Sequence, residues 1–143
     1  QKLYHIVFTT KYRRCTIPEA HCEKLYRYIW GVVKNNRCML YRINGVENHI
    51  HILSDLHPSV CLADLVKDIK ISSNLWMKRC GLFPLFDAWQ ESYGAFTYSI
   101  KEKERVSNYI KKQKEHHRHE KFEEEYKRLL IEHKIEFDER FLF

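Results

Sequence analysis

The chain has 143 residues, 44% hydrophobic and 14% aromatic, which suits one domain with a real core and excludes a disordered or fibrous chain. It contains no apolar run of membrane-spanning length and no signal-peptide pattern. Its five cysteines (Cys15, Cys22, Cys38, Cys61 and Cys80) form no Cys-x-x-Cys pair, which argues against a zinc finger or disulfide framework and for a reducing cytoplasm. The net charge of +6 favours a polyanionic partner, nucleic acid first.

Leu3 to Thr10 alternates apolar and β-branched residues and predicts a strand. Lys11-Tyr12-Arg13-Arg14 follows with three positive charges and one ring. Pro18-Glu19 opens a helix running to about Asn35, with Leu25, Tyr28, Ile29, Val32 and Val33 on one face. Cys38 to Val46 and Glu47 to Leu56 predict two strands, paired as a hairpin through the turn dipeptide Asn44-Gly45. A helix from about Leu62 to Arg79 should bury Leu62, Leu65, Ile69, Leu75 and Trp76 and stop at Gly81. Tyr93 to Ser99 predicts a fourth strand. From Lys101 onward the chain lacks Gly and Pro, which predicts a long helix to at least Glu132, with a break near His116 to Glu120 as a variant.

This order is the split β-α-β unit repeated: an α+β, ferredoxin-like βαββαβ plan. The expected architecture is an antiparallel sheet over about residues 1–100 with helices on one face and a C-terminal helix over about 101–135, all in one domain. The second sheet face would be free for nucleic acid or a partner subunit.

The chemistry concentrates at His49-Ile50-His51. In a strand alternate side chains share a face, so the two imidazoles point together, away from Ile50 and Ile52. Imidazole is the commonest metal ligand, but two make only half a site. On the last helix Tyr109 and Gln113 stand four residues apart and share a face. Gln113 could add an oxygen ligand and Tyr109 a nucleophile; the plainer alternative is a half-buried tyrosine on an amphipathic helix with Val106 and Ile110. Basic and aromatic side chains suited to phosphates and unpaired bases include Lys11, Tyr12, Arg13 and Arg14, then Lys67, Lys70 and Lys112. Of His116, His117 and His119, only His116 and His119 would share a helix face, which reads as a solvent-exposed stripe.

These pieces, taken together and in order, resemble the single-tyrosine HUH transposases of minimal bacterial insertion sequences, the IS200-like group. His49-Ile50-His51 matches the His-hydrophobic-His motif and Tyr109 to Gln113 the Tyr-x-x-x-Gln motif. Phe8 to Arg13, Trp89-Gln90, Tyr93 to Phe96 and Glu115-His116-His117 also look like the family's segments. The resemblance implies Mg²⁺ or Mn²⁺ held by His49, His51 and Gln113, with Tyr109 cutting single-stranded DNA through a 5′-phosphotyrosine and a free 3′-OH. It implies single-stranded hairpins at element ends as substrates, a homodimer, no membrane and no nucleotide cofactor. The chain departs from the family at Asn48, where Asp is common beside the first histidine; Asn48 would then orient His49 through an amide. Two other readings fit: a domesticated endonuclease acting on chromosomal repeat hairpins, and a non-catalytic module that binds single-stranded nucleic acid.

Overall fold

The computed structural model of the protein describes residues 2–135. Four strands, β1 (Lys2–Thr9), β2 (Leu40–Val46), β3 (His49–Ser54) and β4 (Gly94–Ser99), pair in the order β2-β3-β1-β4. Every pairing is antiparallel. With helices α1 (Cys22–Asn35) and α2 (Leu62–Cys80) as the crossovers, this is the ferredoxin-like plan the sequence predicts.

The first sheet face carries Ile6, Phe8, Ile50 and Ile52, which pack under α1 and α2. On α1 the apolar stripe buries Leu25, Tyr26, Ile29, Val32 and Val33, while Tyr28 stacks on Trp76 of α2. On α2 the buried line is Leu65, Val66, Ile69, Ser73 and Met77; Leu75, expected inside, is 55% exposed. Ser73 is tolerated in the core because its Oγ accepts the Trp89 indole N–H at 2.9 Å.

The hairpin differs from expectation. Asn44 and Gly45 lie within β2, opposite His51 and Ile50, and the tight turn is Glu47-Asn48, between the paired Val46 and His49. Gly45 serves close approach instead: a Cβ there would stand 2.2 Å from the His49 carbonyl oxygen. Gly45→Ala should therefore push β2 off β3 and cost about 1–3 kcal/mol, read as a lower urea midpoint.

The larger correction concerns the second sheet face, which is covered. The C-terminal segment is three helices rather than one: α3 (Lys103–Lys111), α4 (Gln113–His116) and α5 (Phe122–Glu132). The chain leaves helical geometry after His116, where the sequence marked a break, and α3 and α4 meet at a kink at Lys112. Leu3, Val7, Leu53, Phe96 and Tyr98 of the sheet meet Val106 and Ile110 of α3 and Phe122, Leu129 and Leu130 of α5. A face this apolar is costly to leave wet, so the segment folds back over it. Polar ties fix its position. Arg42 Nε donates to Ser107 Oγ at 3.0 Å, Asn44 Nδ2 to the Lys111 carbonyl at 2.9 Å, and Lys114 Nζ to Asn44 Oδ1 at 2.8 Å. Tyr126 of α5 lies against Gly94, where a Cβ would stand 2.6 Å from the phenol oxygen.

Candidate active site

Alternation along the strands aims three histidines at this second face: His5 from β1, and His49 and His51 from β3, all fully buried. The C-terminal helices supply the rest. Tyr109 sits near the end of α3, Gln113 opens α4, His117 follows α4, and Glu125 and Arg128 lie on α5. Gln113 and Glu125 are also fully buried. The tyrosine and the histidine pair thus come together within one chain.

Asn48 sets the first imidazole. Its Nδ2 donates to the Arg13 carbonyl at 3.3 Å, which leaves Oδ1, 2.7 Å from His49 Nδ1, as an acceptor. His49 Nδ1 therefore carries the hydrogen, and Nε2 presents a lone pair to the site. That lone pair faces His117 Nε2 at 3.1 Å, Gln113 Oε1 at 3.4 Å and Glu125 Oε1 at 3.4 Å. His51 is held from both sides, by His5 Nε2 on Nδ1 at 2.7 Å and Glu125 Oε1 on Nε2 at 3.0 Å. The same Glu125 oxygen lies 3.0 Å from His117 Nε2. Its other oxygen accepts from Gln113 Nε2 at 2.8 Å and from the Tyr109 hydroxyl. Arg128 Nη2 donates to the Tyr109 oxygen at 3.1 Å and pairs with Glu120 at 2.9 Å.

Burial alone would raise the Glu125 carboxyl, but His51 and the hydrogen bonds from His117, His49 and His51 outweigh it and hold the group well below the usual carboxylate range. Tyr109 is pushed up, by burial first and then by the Glu125 charge and hydrogen bond, with Arg128 opposing. The resting phenol is therefore protonated. Burial lowers His49 to about 4 and takes His5 well below its ordinary value, so both stay neutral near pH 7.

The sign of the linkage follows. Unfolded His49 titrates near 6.5 and folded His49 near 4, so in that window the unfolded chain holds a proton the folded chain lacks. Stability is full above 6.5 and falls toward 4, and His5 adds in the same direction. Between pH 7 and 4.5 the chelated, metal-free protein should lose on the order of 2–3 kcal/mol through His49, measured by urea unfolding.

The donor set fits a cation. Among the described residues, His49, His51, His117 and Glu125 each place one ligand atom within 4.8 Å of the others. Around His49 Nε2 stand two oxygen acceptors and one nitrogen, and lone pairs outnumber the hydrogens that could satisfy them. A positive ion resolves that excess.

Sequence reasoning did not single out His5, Glu125, Glu120 or Arg128, and it set His117 aside. Two of these left a readable signal. Glu125 falls on the apolar stripe of Phe122, Leu129 and Leu130, and His5 lies between Leu3 and Val7 on one strand face. His117 turns inward because helix geometry ends at His116, whose own ring packs on Tyr109 at 4.8 Å.

The basic side chains divide. Lys11 to Arg14 follow β1 near the Asn48 turn, where the Arg13 carbonyl accepts from Asn48 Nδ2; Tyr12 is 66% exposed between Lys11 and Arg14, and Arg13 pairs with Glu123 at 2.7 Å. Tyr12 and Arg13 adopt the left-handed conformation, with φ of 58° and 54°. Lys112 is exposed just past Tyr109. Lys67 and Lys70 lie on α2, across the sheet from the histidines. Lys70 is engaged there, donating to the carbonyls of Gln90, Glu91 and Ser92 at 2.6, 3.2 and 2.8 Å, and burial lowers it to about 8. It clasps the loop carrying the Trp89-Gln90 motif, which pairs with Thr10 and packs on Phe8. No helix among the described residues is long and apolar enough to cross a membrane.

The fold has solved relatives. A "putative transposase" from Deinococcus radiodurans R1 superposes with a TM-score of 0.62 at 24% identity, over 79% of this chain and 92% of that one. A REP-associated tyrosine transposase bound to a REP hairpin gives 0.62 at 16% identity, over 80% and 67%. At these identities the likeness speaks for the fold alone. No curated protein matches the chain. The family model described as "Transposase IS200 like" matches residues 1–113, from the first strand through the histidine pair and Tyr109 to Gln113, and on that match the chain belongs to the IS200-like transposase family.

Proposed function

We propose that the protein cleaves and rejoins single-stranded DNA at insertion-sequence ends, with Tyr109 as nucleophile and a divalent metal as helper. The observation that carries this reading is the Tyr109 hydroxyl standing over the buried His49–His51 pair, bonded to the Glu125 carboxylate and reached by the Arg128 guanidinium. A binding module has no use for a half-buried phenol with an acceptor and a cation on its oxygen. The chain would act as one catalytic unit, with the sheet as frame and the C-terminal helices bringing the nucleophile.

His49 and His51 would hold the ion, with Gln113 Oε1 as the expected third donor, and Mg²⁺ or Mn²⁺ as the ion. When bound, such a cation polarises the scissile phosphate and offsets charge on its oxygens. The side chains do the rest. Asn48 keeps the His49 lone pair directed inward. The Tyr109 oxygen attacks phosphorus, a new P–O bond forms, and the bond from phosphorus to the 3′ oxygen breaks. The phenolic proton passes to Glu125 Oε2, which already accepts it in a hydrogen bond, and is released from there to solvent, while the departing 3′ oxygen takes one proton from solvent water to become a hydroxyl, so the proton count is unchanged. Rejoining is the reverse attack by a 3′-OH on the phosphotyrosine, which conserves the bond and needs no nucleotide. Arg128 stabilises negative charge on the tyrosine oxygen as it comes free. Arg128→Ala should slow single-turnover cleavage about 10²-fold, with partial recovery in Arg128→Lys.

A groove of about 550 Å³ runs past Asn48, Lys114, His117 and Arg118 to the site and could seat the strand. Lys11, Tyr12, Arg13 and Arg14, near the Asn48 turn, and Lys112, beside the tyrosine, would serve as phosphate and base contacts. Lys67 and Lys70 would act at a distance, on DNA arms reaching across the sheet. The substrate is proposed to be a single-stranded hairpin at an element end, and the working form a homodimer, for which β2 and β4 are the edge strands of the sheet among the described residues.

The test uses single-stranded hairpin DNA labelled on either side of the cut, with Mn²⁺. An adduct that survives denaturation and carries the fragment 3′ to the cut, with a free 3′-OH on the other fragment, is the expected result. Absence of any adduct with the element's own ends, chelator-insensitive cleavage, or label on the wrong fragment would each defeat the reading.

A further inference from the structure

The family match ends at residue 113, yet two of the four converging ligand atoms come from beyond it. We infer that the metal centre takes two further protein ligands, His117 Nε2 and Glu125 Oε1, beside His49 Nε2 and His51 Nε2, that Gln113 holds Glu125 in place through its amide, and that this set selects a transition-metal dication over Mg²⁺. The inference rests on the metal-dependent reading above and specifies its site.

The spacing of the four atoms suits one ion. Bonds of about 2.1 Å in a tetrahedron or octahedron put neighbouring ligand atoms roughly 3.0–3.4 Å apart. The observed edges are His49–His117 at 3.1 Å, His117–Glu125 at 3.0 Å, His51–Glu125 at 3.0 Å and His49–Glu125 at 3.4 Å. Gln113 Oε1 lies 3.4 Å from His49 Nε2, and its amide N–H donates to Glu125 Oε2 at 2.8 Å. The amide thus spends its donor end on the carboxylate, which fixes Oε1 toward the three imidazoles.

Charge points the same way. Among the described residues, the groups bonded to Glu125 are three histidines, a phenol and an amide, none a permanent cation. Arg128 reaches Tyr109 and Glu120 instead. A fully buried carboxylate so placed calls for a positive ion at its imidazole-facing oxygen. Three imidazoles with one carboxylate suit zinc, cobalt, nickel or iron, and manganese less strongly; Mg²⁺ prefers all-oxygen sites with several waters. A five- or six-coordinate ion keeps room for phosphate oxygens. One carboxylate then links ion and nucleophile, Oε1 to the first and Oε2 to the Tyr109 hydroxyl.

Calorimetric titration of the chelated full chain with Co²⁺, Mn²⁺ and Mg²⁺, backed by the Co²⁺ absorption spectrum, tests this without DNA or activity. Co²⁺ should bind at least about 100-fold tighter than Mg²⁺. His117→Gln and Glu125→Gln should each weaken Co²⁺ at least about tenfold and shift its visible bands. Near-ultraviolet circular dichroism confirms that each variant is folded; should His117→Gln fail to fold, His117→Asn takes its place. Wild-type Co²⁺ affinity in both the His117 and Glu125 variants, alongside loss in His49→Ala, overturns the four-ligand set and leaves the metal reading standing. Equal affinity for Mg²⁺ and Co²⁺ overturns the selectivity. Wild-type affinity in His49→Ala would bring down the metal reading itself.

Discussion

Tyr109→Phe should eliminate the covalent protein–DNA adduct and lower strand cleavage at least about 10⁴-fold, the scale of losing a nucleophile. The substitution removes one oxygen and keeps the ring that packs on His116 and under Arg128. Glu125 Oε2 retains its bond from Gln113, so the buried carboxylate stays satisfied and the fold should hold. Metal affinity and hairpin affinity should therefore change by less than about threefold, since neither depends on the lost oxygen. The chain has 9 tyrosines, and among the described residues Tyr109 is the one whose hydroxyl reaches the histidine cluster through Glu125. Tyr126 is its nearest rival on α5, but its phenol lies against Gly94. An adduct that persists in Tyr109→Phe, and vanishes in Tyr126→Phe, would move the nucleophile to α5.

What could be read in the sequence followed from periodicity and what could not followed from tertiary choice. Period-two alternation put His49 and His51 on one face of β3, and i, i+4 spacing put Tyr109 with Gln113; the structure brings both pairs to one place. The strand order also came through, because hydrophobic runs and connection lengths leave few antiparallel solutions. The free second face was an error of a different kind. Leu3, Val7 and Leu53 gave their strands apolar residues on both sides, the mark of a sheet covered twice, but the polar look of the Lys- and Glu-rich C-terminal segment hid a cover. Glu125 was hidden for the same reason: within Glu123-Glu124-Glu125 composition says solvent, and only its place on the stripe of Phe122 and Leu129 says core. His117 could not have been chosen over His116 and His119 by helical geometry, because the chain is no longer helical where it turns inward. The hairpin turn moved from Asn44-Gly45 to Glu47-Asn48 because Gly45 was needed for close approach, not for a positive φ.

His51→Ala should produce the largest combined loss of stability and metal affinity, because His51 is the link between both layers of the site. Its imidazole fills the space between His5 and Glu125 at the centre of β3, opposite Val7 and Asn44. Removal leaves a cavity, deprives His5 Nε2 of its partner and takes from Glu125 the neighbour that most lowers its pKa. His5 Nδ1 already has no partner, so in the variant neither nitrogen of that buried ring is satisfied. A buried charge that loses its partner costs about 3–5 kcal/mol. The cost should depend on pH in a defined direction. In the wild type the Glu125 carboxyl is held low, so its contribution is present above the ordinary carboxyl range and lost as pH falls through it. In His51→Ala the burial penalty is opposed only by the remaining donors, His117 and His49 among them, so the carboxyl moves up from its wild-type position and its charged form contributes less to stability. The gap between wild type and variant, measured by urea unfolding with chelator present, should be full at pH 7 and narrow between pH 7 and pH 3 as the carboxyl protonates. A gap below about 1 kcal/mol, unchanged over that range, would show that Glu125 is not held by the histidines. Metal affinity should fall more than about 100-fold, since one of the proposed ligands is gone. His51→Gln should restore part of the stability, because its amide can donate toward Glu125, and little of the metal affinity, because an amide oxygen is a poorer donor than imidazole to a transition-metal ion.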